Sequence, residues 1–114
     1  VQVENYRMED AEFAVVAFGG AARTAYEAVD MARAEGLKVG FVRPITIWPF
    51  AEKQMQDLAG KVKGILVHEL SCGQYVLEVE RAVAGKVPVN LFAKYDNESA
   101  TPAELLAEIK KAMA

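Results

Sequence analysis

The sequence predicts an α/β fold, a mostly parallel, doubly wound sheet with helices on both faces. Three observations carry this. Strand-length segments at Phe13–Phe18, Lys38–Val42, Gly64–His68 and Val87–Phe92 alternate with segments of helical period. The run Phe13-Ala14-Val15-Val16-Ala17-Phe18 is apolar without alternation, as burial on both faces requires. Gly36, Gly60 and Gly85 stand where successive helices should stop.

Taken in order, Val1 to Met8 alternates weakly and reads as a marginal edge strand, followed by the acidic turn Glu9-Asp10-Ala11-Glu12. The central apolar run ends at Gly19-Gly20. A helix is expected over Ala21–Glu35, because Ala25, Ala28, Val29 and Ala32 fall at i, i+3, i+4 and i+7. Arg23, Glu27, Asp30 and Arg33 lie mostly on its other face. Thr24 and Glu27 match a capping box, although a start just after Gly20 fits equally.

The strand Lys38–Val42 runs into Arg43-Pro44-Ile45-Thr46-Ile47-Trp48-Pro49-Phe50. Two prolines make this connection stiff and unsuited to a central strand. Its apolar residues call for a cover. A short helix is expected from Pro49 and Phe50 through Ala59, with Met55, Leu58 and Ala59 inward. After the strand Gly64–His68, Ser71 and Gln74 form an S-x-x-Q capping box opening a helix with the buried stripe Val76, Val79 and Val83. Val87–Phe92 reads as a fourth core strand whose start Pro88 places at an edge. After a polar loop from Tyr95 to Ala100, Thr101-Pro102-Ala103-Glu104 combines N-cap, N1 proline and N3 glutamate. Leu105, Leu106, Ile109 and Met113 form the inner face of the last helix.

The 114 residues suit one domain with one core. The first residue is valine, so a domain cut from a longer polypeptide is expected. No apolar run approaches the roughly 20 residues of a spanning helix. The net charge of −3 is interspersed, and no basic stripe supports nucleic-acid binding. A single cysteine, Cys72, excludes an internal disulfide framework and fits a reducing cytoplasm. One histidine and one cysteine are too few for a structural zinc site.

In a doubly wound sheet, ligands favour the carboxyl ends of the strands at the switch point. Three loops reach that edge: Gly19-Gly20-Ala21, Arg43-Pro44-Ile45 and His68-Glu69-Leu70-Ser71. An anion could rest on the helix starts after Gly20 or Ser71, with Arg43 adding charge and Gln74 nearby. The glycine pair matches no nucleotide fingerprint and is read first as a tight turn. Cys72 near a helix start invites a nucleophile reading, but His68 and Glu69 belong to the strand just before it. A nucleophile and its base usually come from separate elements, so a small space-filling role is preferred. His68 is expected to be structural, and Glu69 to receive Arg43 as an ion pair across neighbouring strand ends. Trp48 and Phe50 are core covers or interface anchors.

Together these residues resemble a known family. Val15–Gly20, Ala21–Ala25 and Lys38–Phe50, with its R-P-I-T-x-W-P-F run, are similar to the C-terminal part of 2-oxoacid:ferredoxin oxidoreductase alpha subunits. The 2-oxoglutarate and branched-chain members are the most similar. The likeness continues through Val67-His68-Glu69, Gly73-Gln74, Glu78-Val79-Glu80 and Thr101–Leu105. Two departures, Leu70-Ser71-Cys72 in the E-x-N-x-G-Q segment and Ala51 after W-P-F, keep the helix starts possible.

The resemblance implies a transketolase C-terminal-like, three-layer α/β/α fold. Its five-stranded sheet has order 1-3-2-4-5 with strand 1 antiparallel. It also implies a place at the C-terminal end of a longer alpha subunit. The parent enzyme would use thiamine diphosphate, Mg2+, iron–sulfur clusters and coenzyme A, with a beta subunit and ferredoxin as partners. This domain, lacking a Gly-Asp-Gly motif and a set of cysteines, would be a non-catalytic assembly piece. Alternatives are a small-ligand or anion-binding regulatory domain, and the equivalent domain of a transketolase or 2-oxoacid dehydrogenase.

Overall fold

Strand β2, Phe13–Ala17, is buried along its whole length at the centre of a five-stranded sheet. The structure, a computed structural model, describes residues 2–46, 48–70, 74–94 and 100–114. The strands β1 (Val3–Tyr6), β3 (Val39–Pro44), β4 (Ile65–Glu69) and β5 (Val89–Ala93) complete the sheet in the order β1-β3-β2-β4-β5. β1 runs antiparallel to β3, and the other pairings are parallel. This is the topology that the family resemblance implied.

Because side chains alternate along a strand, the apolar run of β2 feeds two cores. Val16, with Val42 and Val67, packs under helices α2 (Glu52–Ala59) and α3 (Gln74–Val83). Val15, with Phe41 and Leu66, packs under α1 (Ala21–Ala34) and α4 (Pro102–Met113). Phe41 and Met55 have no exposed surface, and burying a side chain of that size contributes about 1.5–3 kcal/mol. The alanines of α1 let it lie close on the sheet. Thr101 caps α4 in a reciprocal box with Glu104, as its sequence requires.

Several expectations need correction. The fourth core strand is an edge strand: β5 pairs with β4 alone, and Asn90 and Leu91 are exposed. α2 begins at Glu52 instead of Pro49 or Phe50. The Phe50 ring is held against Tyr75, 5.2 Å between centroids, and Ala51 takes a non-helical backbone at the cap. α1 starts at Ala21 as expected, so the Thr24–Glu27 capping box does not form: Thr24 lies inside the first turns and its hydroxyl donates to the Ala100 carbonyl. Arg33 faces inward from α1: its guanidinium donates to the carbonyls of Val39 and Arg7 at 2.8 and 2.7 Å, and to Asp10. It therefore fixes the turn between β1 and β2. The Ser71 cap and Cys72 lie outside the described residues, as does most of the loop from Tyr95.

Candidate functional site

α1 and α3 leave the sheet on opposite faces after β2 and β4, which makes the carboxyl ends of these adjacent strands the switch point. Gly19 takes a positive φ of 59° there and lets the chain turn tightly into α1. Gly20 is the N-cap, with no side-chain hydrogen bond. A Cβ at Gly20 would come within 3.2 Å of the Leu70 side chain, so Leu70 packs over the start of α1. The two loops meet, but an apolar side chain stands between them.

The neighbouring charged and polar groups are engaged inward. Glu69 is 2% exposed, and its two carboxylate oxygens accept the backbone N–H groups of Tyr75 and Val76 at 3.1 and 2.9 Å. A carboxylate from the end of β4 thus satisfies free donors in the first turn of α3 and complements that helix's dipole. The expected Arg43–Glu69 pair does not form, since β2 lies between β3 and β4. Arg43 faces Glu4 across the β1–β3 register instead, at 3.8 Å, and Glu4 also accepts the Tyr26 hydroxyl.

His68 is fully buried on the α1/α4 face of β4. Its Nδ1–H donates to the Phe92 carbonyl at 2.9 Å, and its ring stacks on Phe92 at 5.0 Å. Nε2 has no partner among the described residues. Burial lowers the His68 pKa from its ordinary 6.5, opposed by the Phe92 hydrogen bond and the Glu69 charge. The folded state therefore resists the protonation that the unfolded chain accepts. Stability is full above about pH 6.5 and falls as pH drops below it toward the lowered folded value. Urea melts at pH 7.5 and 5.5 should show this loss, and His68→Gln should reduce the difference; an unchanged difference would remove His68 as its source.

Tyr75 was not singled out by sequence reasoning. It extends the α3 stripe, since Tyr75, Val79, Ala82 and Val83 fall at i, i+4, i+7 and i+8, which was the available signal. Its ring is bracketed by Phe18 at 4.9 Å and Phe50, and the Arg81 guanidinium lies over Phe50. Burial and then the Glu69 charge push the phenol up to about 12, so it stays neutral. Its hydroxyl has no partner among the described residues.

The site residues therefore divide. Gly19 and Gly20 form the turn, His68 and Glu69 are sequestered, and Arg43 belongs to the β1 side. Gln74 opens α3 exposed, and Ser71 lies outside the described residues. Phe50 is a half-buried cover, whereas Trp48 is 67% exposed. No group of three metal-ligating side chains occurs among the described residues, and no helix there is long and apolar enough to cross a membrane.

Comparison with known proteins bears on this arrangement. Residues 11–105 match the family model for pyruvate:ferredoxin oxidoreductase core domain II. The KorA subunit of 2-oxoglutarate synthase from Methanothermobacter marburgensis is 35% identical over 109 residues, 96% of this chain and 29% of that subunit. The chain thus spans under a third of that relative's length. The 2-oxoglutarate:ferredoxin oxidoreductase of Magnetococcus marinus, solved with 2-oxoglutarate, coenzyme A and succinyl-CoA bound, superposes with a TM-score of 0.81 at 18% identity. The match covers all of this chain and 20% of that one. A split-gene transketolase, an inactive β4 tetramer, superposes with a TM-score of 0.80 at 20% identity over 98% of this chain and 41% of that one. The chain belongs to the pyruvate:ferredoxin oxidoreductase core domain II family.

Proposed function

We propose that this chain is a non-catalytic assembly domain from the C-terminal part of a 2-oxoacid:ferredoxin oxidoreductase alpha subunit. The parent enzyme would decarboxylate a 2-oxoacid on thiamine diphosphate, pass electrons through iron–sulfur clusters to ferredoxin, and deliver the acyl group to coenzyme A. The observation that carries this reading is the collinear match along 96% of the chain to a subunit of 2-oxoglutarate synthase. The domain's partners are then the rest of the alpha subunit and a beta subunit, with ferredoxin meeting the whole complex in the cytoplasm.

The residues present do not fit the parent's cofactors. Glu69 is the one buried carboxylate among the described residues, and it accepts the N–H groups of α3. A diphosphate-bound Mg2+ needs several free oxygen ligands, and an iron–sulfur cluster needs several cysteines where this chain has one. The chemistry therefore belongs to other domains, and this one supports their assembly.

The test is an assay of the 114-residue chain alone, with a panel of 2-oxoacids, coenzyme A and a viologen acceptor. No turnover is expected, whereas the assembled complex should reduce the acceptor; turnover by the chain alone would overturn the reading. Titrating the chain with phosphate and coenzyme A addresses the ligand-binding alternative. Saturable binding abolished by Arg43→Ala would favour that alternative.

A further inference from the structure

We propose that the carboxyl edge of the sheet is the docking face of this domain, and that its occupant is an uncharged, apolar surface elsewhere in the same alpha subunit. This deepens the assembly reading and rests on it. The two edges of the sheet differ sharply in charge. The described residues of the connections leaving β2, β3 and β4 at the carboxyl edge, 18–20, 45–46, 48–51 and 70, include no Asp, Glu, Lys, Arg or His among ten. The connections at the amino edge, residues 7–12, 35–38, 60–64 and 84–88, carry nine charged residues in twenty. Charge at the carboxyl edge stands on its flanks, where Arg43 faces Glu4 and Arg81, paired with Glu52, lies over Phe50, whereas every amino-edge connection is itself charged.

Exposure follows the same division. Ile45, Trp48 and Leu70, which are 45%, 67% and 38% exposed, all lie in the uncharged connections. Met31, Leu77 and Leu91, the other large exposed apolar residues among those described, sit singly on α1, α3 and β5. Scattered single residues are ordinary surface, whereas exposed apolar residues gathered at one edge of the sheet in uncharged connections, a tryptophan among them, have the composition of an interface core. Lys94, just after β5, is held at the end of β4 by its N–H donating to the Glu69 carbonyl. The exposed apolar residues set the partner's chemistry, because a charged surface docked on them would lose its water, and the Arg81 guanidinium over Phe50 is already paired with Glu52 and Glu78.

The choice of the same subunit as occupant follows from length. The matched region is 29% of the relative's chain, so most of the protein that this domain meets would be covalently joined to it. A tethered partner acts at an effective concentration in the millimolar range, far above that of a free second copy.

The experiment uses the full alpha subunit that carries this domain, with its beta partner. Amide exchange across residues 44–51 and limited proteolysis are followed for wild type, Trp48→Asp, Leu70→Asp, and the amino-edge controls Lys61→Glu and Lys86→Glu. Thermal melts of the 114-residue chain check that each variant still folds. Both carboxyl-edge variants should lose exchange protection and release the domain to protease at least tenfold faster, with the controls within twofold of wild type. Undiminished protection in both carboxyl-edge variants, or equal damage by the controls, overturns the assignment of the face. Concentration-dependent self-association of the wild-type chain, abolished by Trp48→Asp, overturns the choice of occupant. Turnover by the isolated chain would instead overturn the assembly reading beneath both.

Discussion

Replacing Glu69 with alanine is expected to destabilise this chain by about 3 kcal/mol, one of the two largest effects that single residues should have. The carboxylate is buried and accepts two backbone donors of α3, from Tyr75 and Val76, which are themselves buried. Alanine leaves both N–H groups in an apolar setting at the start of a helix, and each uncompensated buried donor costs about 1–3 kcal/mol. A domain of this size loses roughly 4 °C of melting temperature per kcal/mol, so a fall of about 12 °C is expected. Glu69→Gln keeps the shape and one acceptor but turns an N–H group toward another donor, so it should show about half the loss. Thermal melts of the two variants check this. A neutral alanine variant would mean that α3 is held by something other than Glu69.

Gly40→Ala is expected to cost about 3 kcal/mol, against the usual sign. Alanine in a strand interior normally gains up to about 1 kcal/mol over glycine, because glycine loses more freedom on folding. At Gly40 the new Cβ would lie 2.7 Å from the Arg7 carbonyl oxygen and close against the Met8 sulfur. Methionine can move, but the carbonyl is backbone. It is held by the Arg33 guanidinium at 2.7 Å, in a turn where Arg7 already has a positive φ of 56°. Gly60→Ala is the internal control. Its Cβ would meet only the Asp57 oxygen, at an ordinary 3.5 Å, so it should be neutral or slightly stabilising. Chemical denaturation of both variants separates the steric effect from the propensity effect.

These two residues also show what could be read from sequence. The layered α/β order was legible because it depends on short-range periodicity. The unbroken run of β2 shows burial on both faces, and the Thr101–Glu104 box shows where α4 starts. The strand order came from the family resemblance, since composition and period do not specify which strands are neighbours. That gap produced the error at Arg43 and Glu69. Both were placed at strand ends, but pairing them assumed that β3 adjoins β4, and β2 intervenes. Arg33 and Tyr75 were missed for a related reason. A long side chain on the margin of a helix stripe can turn either way, and the contacts that decide it come from residues far along the chain. The charge difference between the edges was present in the sequence, but it can be seen only when the connections are sorted by the ends of the strands.

Trp48 connects the fold to the proposed role. The stiff run from Arg43 to Phe50 was expected to be covered, and it is covered only in part: Phe50 rests on Tyr75, while Trp48 and Ile45 face outward. The central claim is that this domain assembles the enzyme without taking part in the chemistry. The most direct test is the specific activity of the assembled complex carrying Trp48→Ala, measured per intact complex with two 2-oxoacids. The yield of intact complex should fall at least several-fold, while kcat and the ratio of kcat/KM for the two substrates stay at wild-type values. A normal yield with an altered substrate ratio would contradict the account and place Trp48 at the reacting site.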